Sequence, residues 1–151
     1  MKIALRSTVT EDFEYCKRIY FAGMNRIIEE LNLDRTAQGD GFRQQWIVTQ
    51  VQIITLDGCD VGWLQSKTQD EGLFVAQLFV DVPFQRRGIG TEVMKHLIAE
   101  AARVQHSVSL AVAKINPAVR LYERLGFHIT HEDDRKYYMK RDPNVGADFS
   151  H

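Results

Sequence analysis

The sequence predicts a single α/β domain in which helices pack on the faces of one mixed β-sheet. The length of 151 residues is that of one domain with a single hydrophobic core. Short apolar segments typical of strands alternate with stretches that have helical periodicity. Between residues 73 and 113 a strand, an amphipathic helix and a second interior strand follow one another, which is the order of a β-α-β unit.

The first third of the chain predicts one strand and one helix. Apolar residues alternate with others over residues 3–7, which indicates an opening strand. Thr10 is predicted to cap a helix that begins at Glu11, and Gly23 is expected to mark a bend in it. Periodicity fades over residues 32–46, so no regular element is predicted there.

The middle of the chain predicts a hairpin followed by the β-α-β unit. Asp57-Gly58 is a tight turn between two apolar runs. The run 73–80 is apolar on both faces, which predicts a buried central strand that ends before Pro83. An apolar stripe after Gly90 predicts the clearest amphipathic helix, and alternation over 108–112 predicts the second interior strand.

The last part predicts a short helix and a closing hairpin. Asn116 is expected to cap the helix and Gly126 to end it. The hairpin runs from Phe127 to Met139 and turns at the acidic residues around Asp133. Residues 142–151 are expected to form a flexible C-terminal tail.

Composition excludes several classes of protein. A formal net charge of −1 gives no global basic field that would attract nucleic acid or an anionic membrane surface. Cys16 and Cys59 form no CxxC pair, and the five histidines form no HExxH motif, so neither a metal site nor a disulfide scaffold is expected. The absence of a signal-peptide pattern and of a long apolar window favours the cytoplasm over a membrane.

The segment between the buried strand and the amphipathic helix predicts a phosphate site. Its glycines allow close approach to the backbone, and the helix N-terminus supplies unpaired N–H groups and the positive end of its dipole. Two arginines add local positive charge. The predicted residues are Gln85, Arg86, Arg87, Gly88, Ile89, Gly90 and Thr91.

Two common phosphate motifs do not match this segment. A P-loop requires Lys and then Ser or Thr after its second glycine, whereas Thr91 and Glu92 follow Gly90. A Rossmann fingerprint requires Gly or Ala where Val93 stands. It also requires an acid near the end of the next strand, and residues 108–112 contain none. A glycine-rich turn with two solvated arginines remains the alternative interpretation.

A second motif follows one strand later, Asn116-Pro117-Ala118-Val119-Arg120-Leu121-Tyr122-Glu123-Arg124-Leu125-Gly126-Phe127. Together with Val80-x-x-Pro83-x-Gln85-Arg86-Arg87-Gly88-Ile89-Gly90, it resembles the signature of the GCN5-related N-acetyltransferase (GNAT) superfamily. The resemblance covers about residues 1–141. It implies one domain with a central, mostly antiparallel, twisted sheet of six or seven strands and helices on both faces.

The resemblance also implies a cosubstrate, acetyl-CoA. Its pyrophosphate is expected on Gln85–Thr91, its pantetheine arm along the backbone of Leu78, Phe79 and Val80, and a contact to the arm at Asn116. A backbone N–H of that strand is expected to polarise the acetyl carbonyl. Tyr122 matches the position that protonates the leaving thiolate, and a phenol with an ordinary pKa of about 10 is protonated at neutral pH. A core tyrosine without catalytic role is the alternative.

The general base and the acceptor are less defined. Some family members carry a Glu five positions before the Asn, but that position is Ala111 here. His128 and His131 are expected to be surface or partly buried side chains of the hairpin. Candidates for the acceptor pocket, each of which also suits a core or surface position, are Phe21, Met24, Gln77 and Tyr138.

The sequence thus predicts a cytoplasmic, metal-independent N-acetyltransferase in which an amine attacks bound acetyl-CoA directly. The acceptor is expected to be a small molecule or a peptide, without nucleic acid or membrane partners, and the protein a monomer or homodimer. Two alternatives remain open: a non-catalytic CoA-binding regulatory module, and an acyltransferase with another acyl-CoA or another acceptor.

Overall fold

A computed structural model describes residues 2–70 and 72–143 of the chain. It contains one seven-stranded sheet with the strand order β1-β2-β3-β4-β5-β7-β6. The strands are β1 Ile3–Ser7, β2 Val51–Leu56, β3 Cys59–Gln69, β4 Gly72–Val80, β5 Ser107–Ala113, β6 His128–Glu132 and β7 Lys136–Arg141. The α-helices among the described residues are α1 Phe13–Glu30, α2 Arg35–Gln45, α3 Ile89–Arg103 and α4 Ala118–Arg124. The predicted α/β class with one mixed sheet is confirmed.

The described residues form two compact units. The first unit comprises residues 2–65 and 77–90, and the second comprises 66–76 and 91–143. Each unit has its own packed interior.

In the first unit, β1, β2 and β3 are antiparallel and α1 supplies much of the core. The core cluster lies on α1, α2 and the strands, and partly buried aromatic side chains surround it. Its buried members are Cys16, Ile19, Tyr20, Phe42, Val51, Ile53 and Trp63. The predicted turn at Asp57-Gly58 is confirmed, because both residues have the positive φ angles, 50° and 89°, of a tight hairpin turn.

The start of α1 differs from the prediction. Thr10 does not cap a helix at Glu11, because a 3₁₀ turn covers Thr10–Asp12 and α1 begins at Phe13. The Asp12 carboxylate accepts a hydrogen bond from the backbone N–H of Val9 at 3.0 Å. It also accepts two from the Arg6 guanidinium, at 3.0 and 3.1 Å. These bonds hold the turn, so Asp12 and not Thr10 organises the entry to the helix.

Gly23 serves packing and does not interrupt the helix. The helix α1 passes through this position without a break. A Cβ atom on Gly23 would lie 2.8 Å from Cδ1 of Phe79, closer than real Cβ contacts come. Glycine at this position therefore lets the Phe79 ring pack against the helix.

The helix α2 was not predicted. It begins after Asp34, whose carboxylate accepts a hydrogen bond from Thr36 N at 3.1 Å. Phe42 is its one buried residue. With two glycines in eleven residues and so little apolar surface, the segment has no periodicity that a sequence pattern reveals.

The second unit contains the predicted β-α-β connection. Residues Gly72–Val75 of β4 pair in parallel with Ser107–Leu110 of β5, and α3 lies between the two strands in sequence. The apolar stripe of α3 is buried, and β5 alternates between buried and half-buried positions. The predicted central position of β4 is confirmed, but the strand is less buried than predicted: apart from Val75, its residues are half-buried. Apolar composition favours burial, but the coverage of each face depends on the neighbouring atoms.

The closing hairpin is also confirmed, with β6 and β7 antiparallel to each other and β7 antiparallel to β5. Of the predicted tail, residues 144–151 lie outside the described residues. No helix in the described part of the chain has the length and hydropathy needed to cross a membrane.

Candidate functional site

The loop that follows β4 is anchored at its start by three polar contacts. Asp81 accepts a hydrogen bond from Val82 N through its carboxylate, at 2.9 Å, and forms an ion pair with Arg18 at 3.0 Å. The Gln85 side chain donates to the backbone carbonyl of Val80 at 2.9 Å. These contacts fix the short 3₁₀ turn at Val82–Phe84, and this turn leads directly into the loop that contains Arg86.

The loop itself has the backbone geometry of an anion site. Arg86 and Gly88 have positive φ angles, 65° and 78°, and Arg87 between them does not. Such alternation turns successive N–H groups towards one side. Residues 85–88 are exposed, and a Cβ on Gly88 would meet no atom within 4 Å.

The helix α3 begins directly after this loop. Its first residue, Ile89, is buried, and this burial anchors the start of the helix. The first N–H groups of a helix have no partner within it, and the dipole of a 15-residue helix adds positive potential there. The Arg87 guanidinium lies over the Phe84 ring at 5.6 Å. The predicted residues Gln85–Gly90 thus fit a pyrophosphate group, and Thr91 lies in the first turn of α3.

The end of β4 lies close to β3. The Phe79 ring packs against Tyr20 and Trp63, with centroid distances of 5.6 and 5.5 Å. A Cβ on Gly62 of β3 would overlap the Phe79 carbonyl oxygen, so only glycine allows this approach of the two backbones. Sequence patterns had not indicated a role for Gly62.

Phe21 and Met24, predicted for the acceptor pocket, lie on α1 and are partly buried against the core cluster. The Phe21 ring makes an edge contact with Tyr20 at 5.2 Å. Gln77 is half-buried on β4 in the same unit. Phe21 and Met24 therefore contribute to the packing of the core cluster. Their contact with an acceptor stays a prediction.

In the second unit, the end of α4 holds Tyr122 in place. Gly126 has φ 96°, its N–H donates to Glu123 O at 3.1 Å, and Phe127 N donates to Tyr122 O at 3.0 Å. This is a Schellman motif, and its hydrophobic contact is the pair of rings of Tyr122 and Phe127, 5.8 Å apart. Burial raises the pKa of the Tyr122 phenol, so it keeps its proton throughout the neutral range.

The N-cap position of α4 is Pro117, one residue after the predicted one, and the hydrogen bonds at the start of the helix are accepted by the predicted cap, Asn116. Its side-chain carbonyl oxygen accepts a hydrogen bond from Ala118 N at 2.9 Å, and its backbone carbonyl accepts one from Val119 N at 3.2 Å. The short helix therefore begins at a defined position on the end of β5. The side chain is partly buried.

Tyr138 belongs to a network of side chains in the β6–β7 hairpin. Its hydroxyl donates to the Asp133 carboxylate at 3.1 Å, and this bond raises the pKa of Tyr138. Its ring stacks on His131 with a centroid distance of 4.3 Å and an interplanar angle of 4°. Ala111 of β5 is its in-register neighbour on the other side. The sequence had not indicated the pairing of His131 with Tyr138.

The predicted residues are therefore divided between the two units. The first unit holds the predicted phosphate loop Gln85–Gly90, the end of β4, and the acceptor candidates Phe21, Met24 and Gln77. The second holds Thr91, Asn116, Tyr122 and Tyr138.

A model of the acetyltransferase (GNAT) family matches residues 14–127. A search of curated proteins found no match. Ard1 from Thermoplasma volcanium is similar in structure, with a TM-score of 0.68 and 22% identity over 94% of this chain and 98% of that one. An acetyltransferase from Thermus thermophilus has a TM-score of 0.73 and 16% identity, with 94% and 97% of the two chains covered.

The PaiA N-acetyltransferase from Thermoplasma acidophilum, whose structure is a complex with coenzyme A, has a TM-score of 0.66 and 15% identity. The match covers 94% of this chain and 99% of that one. At these identities the structural likeness shows the fold, whereas the family model covers well over half of the sequence. The chain belongs to the acetyltransferase (GNAT) family.

Proposed function

We propose that this acyltransferase moves an acetyl group from acetyl-CoA to an amine by direct attack, with Tyr122 as the general acid. The observation that carries the proposal is the loop Gln85–Gly90, whose left-handed residues lead into the N-terminus of α3. The family match and the coenzyme A in the PaiA complex support the same cosubstrate. The cytoplasm is the compartment in which we place the reaction.

Acetyl-CoA supplies an activated thioester and a pyrophosphate group. The N–H groups of residues 86–90 bind the phosphate oxygens, and Arg86 and Arg87 balance their charge. The backbone of Leu78, Phe79 and Val80 pairs with the pantetheine arm. One N–H of this strand polarises the acetyl carbonyl, an interaction worth a few kcal/mol when the donor is fixed in position. Thr91 and Asn116 complete the binding residues.

Tyr122 donates its proton to the thiolate that leaves. Its elevated pKa keeps the phenol protonated at neutral pH. The Schellman motif and the contact with Phe127 restrain the Tyr122 ring. Phe21, Met24, Gln77 and Tyr138 form the acceptor side. The acceptor is an amine on a small molecule or a peptide, and no metal ion takes part.

Substitution of Tyr122 tests the assignment. Tyr122→Phe is expected to lower kcat by about 10²-fold or more while the Kd of acetyl-CoA stays within about twofold, because the lost proton is needed in the transition state. Release of free CoA gives kcat, and isothermal titration calorimetry gives Kd. Tyr137→Phe is the matched control, since this half-buried residue of β7 keeps its ring contact with Lys114. An unchanged kcat in Tyr122→Phe removes Tyr122 from the mechanism.

A panel of ligands separates the proposal from its alternatives. Acetyl-CoA is expected to bind more tightly than longer acyl-CoAs, and NAD is expected not to bind. Turnover with at least one amine distinguishes an enzyme from a CoA-binding module. Transfer only from longer acyl-CoAs, or only to hydroxyl acceptors, contradicts the assignment as an N-acetyltransferase.

A further inference from the structure

The proposed direct attack requires a proton acceptor. An alkylamine with a pKa of about 10.4 is almost entirely protonated at pH 7, and its ammonium form has no lone pair for attack. Ala111 supplies no base. On the Ala111 side of the second unit, the hydrogen bonds of one imidazole, that of His131, leave its Nε2 able to accept a proton.

A β-bulge in β6 places His131 beside Tyr138. His128 pairs with Lys140 and His131 pairs with Tyr138, with a register shift between Ile129 and His131. In a regular strand, residues three apart point to opposite faces. The extra residue in the bulge, Thr130, brings both histidines to the face that carries Tyr138.

This register places three residues side by side on three neighbouring strands. Ala111 of β5 is opposite Tyr138 of β7, which in turn is opposite His131 of β6. Directly opposite residues of an antiparallel pair share one face. Two strand spacings, about 10 Å, separate the backbones of Ala111 and His131, a distance that an extended amine substrate or a short water chain spans.

The hydrogen bonds of Thr130 determine the tautomer of His131. The Thr130 hydroxyl lies 3.1 Å from the backbone carbonyl of Tyr138, which can only accept, so the single hydroxyl proton points there. The same oxygen lies 3.0 Å from His131 Nδ1 and has only lone pairs left for it. Nδ1 therefore carries the imidazole proton, and Nε2 of the neutral ring carries the free lone pair.

Neighbouring groups on this face are poor bases by comparison. The Tyr138 hydroxyl donates to Asp133, and its raised pKa keeps it protonated. Asp133 accepts hydrogen bonds from Arg135 N, Lys136 N and Tyr138, which hold the pKa of its carboxyl below the ordinary value. The ring of His131, in contrast, is exposed and stacks flat on Tyr138, which fixes the plane of the imidazole.

We infer that His131 is the general base of the reaction and that its Nε2 takes the proton from the acceptor amine. This role rests on the proposed function. The ammonium group gives one proton to Nε2, and its nitrogen then forms the C–N bond to the acetyl carbon. The C–S bond breaks and the sulfur takes the proton of Tyr122. The second N–H proton returns through solvent to Tyr122, the imidazolium releases its proton to water, and the products are the amide, free CoA and H⁺.

The pH dependence of kcat/KM is the sharpest test. His131→Phe keeps an aromatic ring for the stack on Tyr138 but has no basic nitrogen. At pH 7 it is expected to lower kcat/KM by about 100-fold, and the loss is expected to shrink as the pH rises and to disappear above the amine pKa of about 10.4, where the amine itself is mostly deprotonated. The titratable and charged groups of β6, of β7 and of the turn between them are His128, Glu132, Asp133, Asp134, Arg135, Lys136, Tyr137, Tyr138, Lys140 and Arg141.

His128→Gln is the matched control, because this histidine is exposed on the same strand and face. It is expected to leave the pH profile unchanged. Thr130→Val tests the positioning of the ring, since it removes the acceptor of the Nδ1 proton. It is expected to lower kcat several-fold and to restore a mixture of tautomers.

Nitrogen NMR of the labelled imidazole reads the tautomer without turnover. In the wild type at high pH, Nδ1 is expected to be protonated and Nε2 unprotonated, and Thr130→Val is expected to change this. A protonated Nε2, or turnover by His131→Phe with the wild-type pH profile, overturns the role of His131 and leaves the proposed function standing. A wild type that acetylates no amine overturns both.

Discussion

In the proposed reaction, the loop Gln85–Gly90 relies on its backbone and the β6–β7 hairpin relies on side chains. The geometry of the loop depends on the positive φ angles of Arg86 and Gly88, a conformation that glycine favours. The positions of the hairpin side chains depend on one bulge and one threonine hydroxyl. A backbone site is sensitive to any added Cβ, whereas a side-chain site is sensitive to the loss of a single polar atom.

The largest expected effect is on the close contact between the backbones of β3 and the end of β4. Gly62→Ala is expected to lower the free energy of unfolding by about 3 kcal/mol, because its Cβ would overlap the Phe79 carbonyl oxygen and neither strand can yield easily. Urea unfolding measures the change. Gly41→Ala is the control, since a Cβ there meets no atom within 4 Å. It is expected to stabilise the protein by up to about 1 kcal/mol, because alanine favours the helix more than glycine does.

A smaller effect separates strain from binding. Gly88 and Gly58 both have positive φ, 78° and 89°, and a Cβ at either would meet open space. Alanine at each position is expected to cost about 1 kcal/mol of stability. Only Gly88→Ala is expected to raise the Kd of acetyl-CoA, by about tenfold, because it displaces the N–H groups of the loop. Equal Kd values for the two variants would contradict the assignment of the loop.

The same difference explains what the sequence predicts. The sequence predicts a turn or a helix end where residue type alone favours the backbone conformation, as at Gly88, Gly126 and Asp57-Gly58. The sequence also predicts α3 and β5, because the apolar residues of each element recur with the period of a helix or a strand.

Other features depend on contacts that no local pattern contains. The helix α2 depends on the Asp34 cap and on the burial of Phe42. Its two glycines lower the helix propensity, so the sequence does not predict it. Thr10 has the residue type of a cap, but the bidentate contact of Arg6 with Asp12 decides where α1 begins. Gly23 is explained only by Phe79, 56 positions later in the sequence. The stack of His131 on Tyr138 requires the bulge at Thr130, which shifts the register by one residue.

The smallest expected effects distinguish two carboxylates with lowered pKa values. The Arg6 guanidinium holds the pKa of Asp12 below its ordinary value, whereas backbone N–H groups of the turn do so for Asp133. A carboxylate of this kind contributes stability above its unfolded pKa of about 3.9 and loses it as the pH falls through the lower folded value.

Asp12→Asn is therefore expected to lower the free energy of unfolding by about 1 kcal/mol at pH 7, and the difference from the wild type is expected to vanish near pH 2. Salt is expected to reduce it, because the Arg6 side chain is 38% exposed. Asp133→Asn keeps an oxygen for the turn N–H groups and is expected to change stability less, with little dependence on salt. Urea unfolding at several pH values and salt concentrations compares the two variants. A salt-independent loss in Asp12→Asn would mean that its bond to Val9 N, and not the ion pair, holds the start of α1.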